Sequence, residues 1–327
     1  MAVDDVAGAV ERGDLDELIR LVDGLCAQRS WDALVELRDR CLRAVERGKQ
    51  LWPAAHHAEY RLALEAPGPW AASVLVEGAG RFALGPLSEV VASTHTWTEL
   101  APHVPDGPVG VLAAHERVVR GEDLRAAGVD TSLPVLELPL VLEPWEPAYA
   151  VAHYRAHTVD FPSPAVPSLE PVELTSAEKI DDPAACDALR ALAVAWTVAS
   201  DGRSEAVAVQ GCASDAVGAL GARRARIGAI DTAGALAHMA WTAASGGAYG
   251  RRRGAATGRF DACLTAATLV GLDDPWPPDP GALGDAIDAL GWYLWDAGEP
   301  VTGWSLHLAV EDPARGIAWA LAATDAR

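Results

Sequence analysis

Lysine is almost missing from this chain: it occurs only at Lys49 and Lys179, so arginine carries nearly all the positive charge of the 26 basic residues. Those 26 stand against 46 acidic residues, a formal net charge of −20. Neutralisation of phosphates by Lys and Arg dominates nucleic-acid affinity, so a chain of this sign is not expected to bind nucleic acid. Long apolar runs are missing too. Charge or proline interrupts each one short of the ~20 residues that a membrane span needs, and no membrane insertion is expected. The chain opens Met-Ala-Val-Asp-Asp, with acid where a secretory leader carries base, which points to a cytoplasmic location. Five cysteines, Cys26, Cys41, Cys186, Cys212 and Cys263, form no Cys-x-x-Cys pair and are odd in number. They read as reduced core thiols rather than a disulfide framework or zinc site.

Recognisable catalytic patterns are also lacking. His115-Glu116-Arg-Val-Val119 places valine where a helical zinc protease has its second histidine. His56 and His57 are adjacent, about 100° apart on a helix, and read as helix-surface residues that cannot share a metal in the i, i+4 manner. No Gly-x-Ser-x-Gly elbow, phosphate loop or Gly-x-Gly-x-x-Gly fingerprint occurs. Neither a metal nor a cofactor is expected.

What is present divides into three regimes, and the fold class they imply is α+β. Residues 1–130 are expected to be all-helical. Leu15, Leu18, Ile19, Val22 and Leu25 recur at helical spacing behind a capping Asp14; Trp31, Leu34, Leu37, Cys41, Leu42 and Val45 follow Ser30 in the same way. Further helices over 53–64, 69–75, 86–92 and 109–119, several opened by proline, suggest solenoid-like helix pairs. Residues 131–175 hold frequent prolines that forbid helix, and read as an extended connector. Its Val135, Leu136, Leu138, Leu140, Val141, Leu142 and Trp145 are too apolar for a free linker, so it should lie against one domain or supply an edge strand.

Residues 176–327 read as an α/β domain with a small mixed sheet. Helix over 183–198, strand over 205–210, helix over 212–220 and strand over 226–230 suggest a β-α-β unit; a helix capped by Asp231 or Thr232 leads into a glycine-rich loop. A hairpin joins 292–295 to 304–310 through a turn at 297–303, with Trp304, Leu306, Leu308 and Val310 on one face and Ser305 and His307 on the other. A final helix is expected over 313–323.

The loop Ser245-Gly-Gly-Ala-Tyr-Gly-Arg-Arg-Arg-Gly-Ala-Ala-Thr-Gly-Arg259 is the candidate site of this domain. Gly247 and Gly250 allow the backbone close approach, while Arg251, Arg252, Arg253 and Arg259 offer forks that suit carboxylate or phosphate, so an anionic small molecule is a candidate ligand. The alternative is a connector whose arginines pair with the chain's own acids. The strand-to-helix turn at 209–215 offers backbone N–H groups to an anion, with Ser214 and Asp215 as ordinary caps in the simpler reading. The Gly247-Ala-Tyr-Gly250 loop with the Gly-Arg that follows, and the closing Leu-Ala-Ala-Thr-Asp325, resemble over the last third of the chain an uncharacterised bacterial domain family. No activity attaches to that family, so the resemblance implies no site residues, cofactor or reaction.

Tryptophan is abundant, 12 against 3 Phe and 5 Tyr. It suits half-buried surfaces, and Trp145, Trp276, Trp292 and Trp295, beside prolines or in the hairpin, are candidate contact residues. The leading expectation is a non-catalytic interaction or scaffold protein with protein partners; the alternative is an enzyme or sensor for an anionic small molecule held by the arginine loop.

Overall fold

The computed structural model describes residues 3–175, 177–298 and 303–326. They form two compact units that are not consecutive in sequence. The first holds residues 1–118, 124–135 and 152–161, and the second holds 119–123, 136–151 and 162–327. The proline-rich stretch 131–175 is thus divided between both units rather than standing apart.

The first unit is helical: α1 (Val3–Arg12), α2 (Leu15–Ala27), α3 (Trp31–Glu46), α4 (Trp52–Glu65), α5 (Gly68–Ala72), α6 (Leu87–Thr94), α7 (Trp97–Leu100) and α8 (Pro108–Val119), with a short hairpin of β1 (His153–Tyr154) and β2 (Val159–Asp160). Asp14 caps α2 by accepting from the Glu17 N–H at 3.0 Å, as its position implies. Ser30 precedes α3 without a side-chain cap bond. The apolar stripes of α2 and α3 bury Leu18, Val22, Leu25, Leu34, Leu37 and Cys41. Helix α4 is buried on nearly every side and packs against α2, α3, α5 and α6. Helices of 4 to 16 residues around one central helix do not make the uniform repeats that a solenoid stacks.

The second unit carries β3 (Glu170–Val172), β4 (Glu178–Ile180), α9 (Pro183–Ala191), α10 (Val194–Val198), β5 (Arg203–Gln210), α11 (Ala213–Ala219), β6 (Ala225–Ile230), α12 (Thr232–Ala244), α13 (Ala255–Val270), α14 (Pro280–Asp288), β7 (Gly291–Asp296), β8 (Trp304–Asp312) and β9 (Ile317–Asp325). Seven of its strands make one sheet in the order β3-β6-β7-β8-β9-β5-β4. The α+β class holds, but every ladder is antiparallel, so the sheet is not mixed. Strands β5 and β6 do not form a β-α-β pair, because β7, β8 and β9 lie between them. As the extended stretch suggested, β3 is an edge strand.

The final helix expected over 313–323 is instead strand β9. Its alanine-rich sequence favours helix locally, yet it pairs along its length with both β8 and β5, and Ala318, Trp319, Ala320, Leu321 and Ala323 are fully buried there. Tertiary pairing overrides the local preference. The β7–β8 hairpin matches expectation; residues 299–302 of its turn lie outside the described residues.

Side-chain alternation separates the two faces of the sheet. Val209, Trp295, Ala309, Ala318 and Ala320 meet Ala213, Ala216 and Val217 of α11. The alternate residues, among them Leu306, Leu308, Val310 and Trp319, are buried on the other face, where α9, α10 and α12 pack and α13 lies against α9 and α12.

Candidate functional site

The glycine-arginine stretch folds as framework. Its last part is not loop: α13 begins at Ala255, which places Gly258 and Arg259 inside a helix. Arg259 points inward and is only 1% exposed. Its Nε and Nη2 donate to the two carboxylate oxygens of Glu146, each at 2.7 Å, while Nη1 donates to Pro139 O at 3.0 Å and Nη2 to Val141 O at 2.9 Å. Desolvation pulls the guanidinium pKa down, but the Glu146 hydrogen bonds and charge outweigh it and hold the pKa above its ordinary value. Arg259 therefore pins the proline-rich segment onto α13. It is not available to an external anion.

Arg253 donates from Nη1 to Asp261 Oδ2 at 2.5 Å and from its backbone N–H to Ala244 O at 2.8 Å. Arg251 is exposed and Arg252 half-buried. The loop itself is organised by Asp325, which is fully buried at the end of β9. Asp325 accepts from the Ala248 N–H at 2.6 Å and from Ser200 Oγ at 3.0 Å. Gly247, at φ +70°, lies so close that a Cβ would stand 2.1 Å from Asp325 Oδ2, and a Cβ at Gly250 would stand 2.2 Å from Gly246 O. The glycines serve this tight internal turn.

Removing the carboxylate leaves the Ala248 N–H and the Ser200 hydroxyl without their acceptor. Asp325→Ala is accordingly expected to open the turn, giving tryptic cleavage after Arg251 or Arg252 that is faster than in the wild-type chain under native conditions. Mass mapping of the first fragments reads the site; an unchanged pattern would mean that other contacts hold the loop.

The four tryptophans singled out above are framework as well. Trp292 and Trp295 are 2% and 6% exposed. The indole N–H groups of Trp145, Trp276 and Trp292 donate to Pro280 O, Leu136 O and Ile287 O at 3.1, 3.3 and 3.0 Å. Trp295 stacks on His307 with ring centroids 4.5 Å apart. Three of the four indole N–H groups are thus used internally, while that of Trp295 is buried without a hydrogen-bond partner.

A better candidate lies in the helical unit. Trp52 at the start of α4 and Phe82 in the loop before α6 lie with ring centroids 4.2 Å apart and remain 36% and 48% exposed; Leu84 is 41% exposed. They rim a groove of about 310 Å³ that reaches Tyr60, His57 and His157. Tyr60 is fixed at its floor by donating to Arg155 O at 2.5 Å. Large apolar side chains left in contact at a surface mark recognition sites more often than isolated ones do.

At the inner end of this groove three side chains from distant parts of the sequence converge: Asp23 of α2, His57 of α4 and His157 of the β1–β2 turn. Their ligand atoms all lie within 4.8 Å of one another. Burial, and then the charge of Arg61, lower the His57 pKa below its ordinary value, although Asp23 works the other way. Nothing local in the sequence announces this meeting, since each residue reads alone as a helix-surface or loop position.

A second cavity of about 310 Å³ lies in the other unit, lined by His238, Trp241, His307, Leu169 and Leu306 among others. Burial lowers the pKa of both histidines, although for His307 the Asp296 charge works the other way.

The model of the Family of unknown function DUF6183 matches residues 16–327. The chain belongs to this family. Its extent corrects the likeness noted for the last third alone: the DUF6183 match spans both units, the groove and the basic loop. No curated protein and no solved structure matches the chain. Membership of DUF6183 assigns no reaction, and a function has to be argued from the geometry. Among the described residues no helix is long and apolar enough to cross a membrane.

Proposed function

We propose that this DUF6183 protein is a non-catalytic interaction protein that docks a protein partner in the groove of its helical unit. The observation that carries the reading is the touching pair Trp52 and Phe82, left 36% and 48% exposed at the rim of a groove. Leaving these rings exposed to water is unfavourable and covering them with a partner removes that cost, and aromatic anchors in a concave site dominate association energetics. The occupant is an aliphatic or aromatic side chain of a partner segment, received between Trp52, Phe82 and Leu84. The acidic surface adds charge-based selectivity for partners of less negative charge.

The test is affinity capture from native lysate followed by reconstitution of the recovered partner with purified chain. Replacing Trp52 and Phe82 together by alanine is expected to weaken the reconstituted complex by about 2 kcal/mol, roughly 30-fold in Kd. Undiminished affinity in that variant places the contact elsewhere. Recovery of no stoichiometric partner under several mild conditions contradicts the interaction reading itself.

A second reading is favoured by one observation, the His238–His307 cavity of the sheet-containing unit, whose volume falls within the range of small-molecule sites. It would make that unit a sensor for a small, largely apolar ligand.

A further inference from the structure

We infer that Asp23, His57 and His157 form a binding site for a divalent transition-metal ion of the zinc type, with two imidazole nitrogens and one carboxylate as ligands. Asp23 Oδ1 lies 3.4 Å from His157 Nε2 and 3.7 Å from His57 Nε2. Zinc bonds of about 2.0–2.1 Å at tetrahedral angles place neighbouring ligand atoms about 3.3 Å apart. The two Asp23 spacings are close to that edge and all three ligand atoms lie within 4.8 Å of one another, so an ion at the common centre requires modest side-chain movements. His157 is 58% exposed on a short turn and is free to supply the largest of them.

Two further observations bear on this site. His57 Nε2 is shielded from solvent and has no hydrogen-bond partner, a costly state for an imidazole nitrogen that coordination would relieve. Two imidazoles and a carboxylate are the donor set of three-ligand sites that keep an open coordination position. Here that position adjoins the groove lined by Tyr60 and Phe82.

Arg61 is the group that could oppose a cation, because it also donates to Asp23 Oδ1. Its charge is already shared with a second carboxylate: Nε and Nη2 donate to the two oxygens of Glu65 at 2.6 and 3.2 Å. Two carboxylates, Asp23 and Glu65, thus face the one guanidinium of Arg61 beside the two imidazoles. The inference is independent of the docking proposal, which needs the aromatic rim and no metal.

The probe is Zn²⁺ alone, titrated calorimetrically into the chelator-treated full chain at pH 7.5. One ion per chain is expected. Affinity should fall by about tenfold or more in His57→Ala and in His157→Ala, by analogy with losses that follow even outer-shell changes. His103→Ala, an exposed histidine outside the cluster, should leave it unchanged. Co²⁺ in place of Zn²⁺ should give visible absorption that disappears in His157→Ala, a variant whose exposed position leaves the fold intact by circular dichroism. No uptake by the wild-type chain, or uptake retained in the His57→Ala, His157→Ala double variant, overturns the inference.

Discussion

Arg259→Ala is expected to lower the stability of the sheet-containing unit by about 3–5 kcal/mol, the scale observed when one member of a buried ion pair is removed. The reason is what remains. Glu146 would keep a charge in a site that is 1% exposed, and the carbonyls of Pro139 and Val141 would lose their donors. Tyr149 donates to Glu146 Oε2 at 2.7 Å and offers only partial relief. Arg259→Lys should recover little, because an ammonium cannot bind both carboxylate oxygens in a fork while also reaching two carbonyls. Removing both charges, as Arg259→Met with Glu146→Leu, should cost less than the single alanine change, since no uncompensated charge is left. Denaturant unfolding followed by tryptophan fluorescence, with Trp145 and Trp276 beside the pair, reads all three variants. A single alanine variant within 1 kcal/mol of wild type would mean that this pair does not anchor the segment.

Gly258→Val is expected to destabilise the same unit by about 3 kcal/mol, at the upper end for overpacking. A Cβ at this position of α13 would stand 2.2 Å from Ala240 O and 2.8 Å from the Ala244 Cβ, both on α12. Real Cβ atoms do not approach backbone oxygen so closely, so the helices would have to separate. Even Gly258→Ala should destabilise, although alanine improves helix propensity by about 1 kcal/mol, because the obstacle is backbone that cannot turn away. A shift of the unfolding midpoint at unchanged slope measures the loss. A neutral or stabilised alanine variant would show that local propensity outweighs the helix contact.

These two neighbours show how far the sequence can be read. Gly258 and Arg259 belong to a stretch that composition marks as glycine-rich and basic, and its irregular first part, with Gly247 at positive φ, is as expected. Which arginine faces inward depends on a glutamate more than a hundred residues earlier, and no local pattern encodes that. The longer helices and strands β5, β6, β7 and β8 were legible because their apolar spacing is local: α2, α3, α12 and the β7–β8 hairpin fall where periodicity puts them. Strand β9 was not, because its alanines favour helix until β5 and β8 pair with it on both sides. The groove escaped sequence reading for the same reason. Trp52 and Phe82 look like ordinary core residues until the fold leaves them side by side at the surface.

On this proposal the aromatic groove carries the function and the basic loop has a structural role. The measurement that tests this most directly is the Kd of the reconstituted protein partner for two variants side by side. Trp52→Ala with Phe82→Ala should bind roughly 30-fold more weakly than wild type. Arg251→Ala with Arg252→Ala should stay within about twofold, as expected for charges outside the contact. Full affinity in the first variant with a large loss in the second would contradict the account and return the function to the arginine loop.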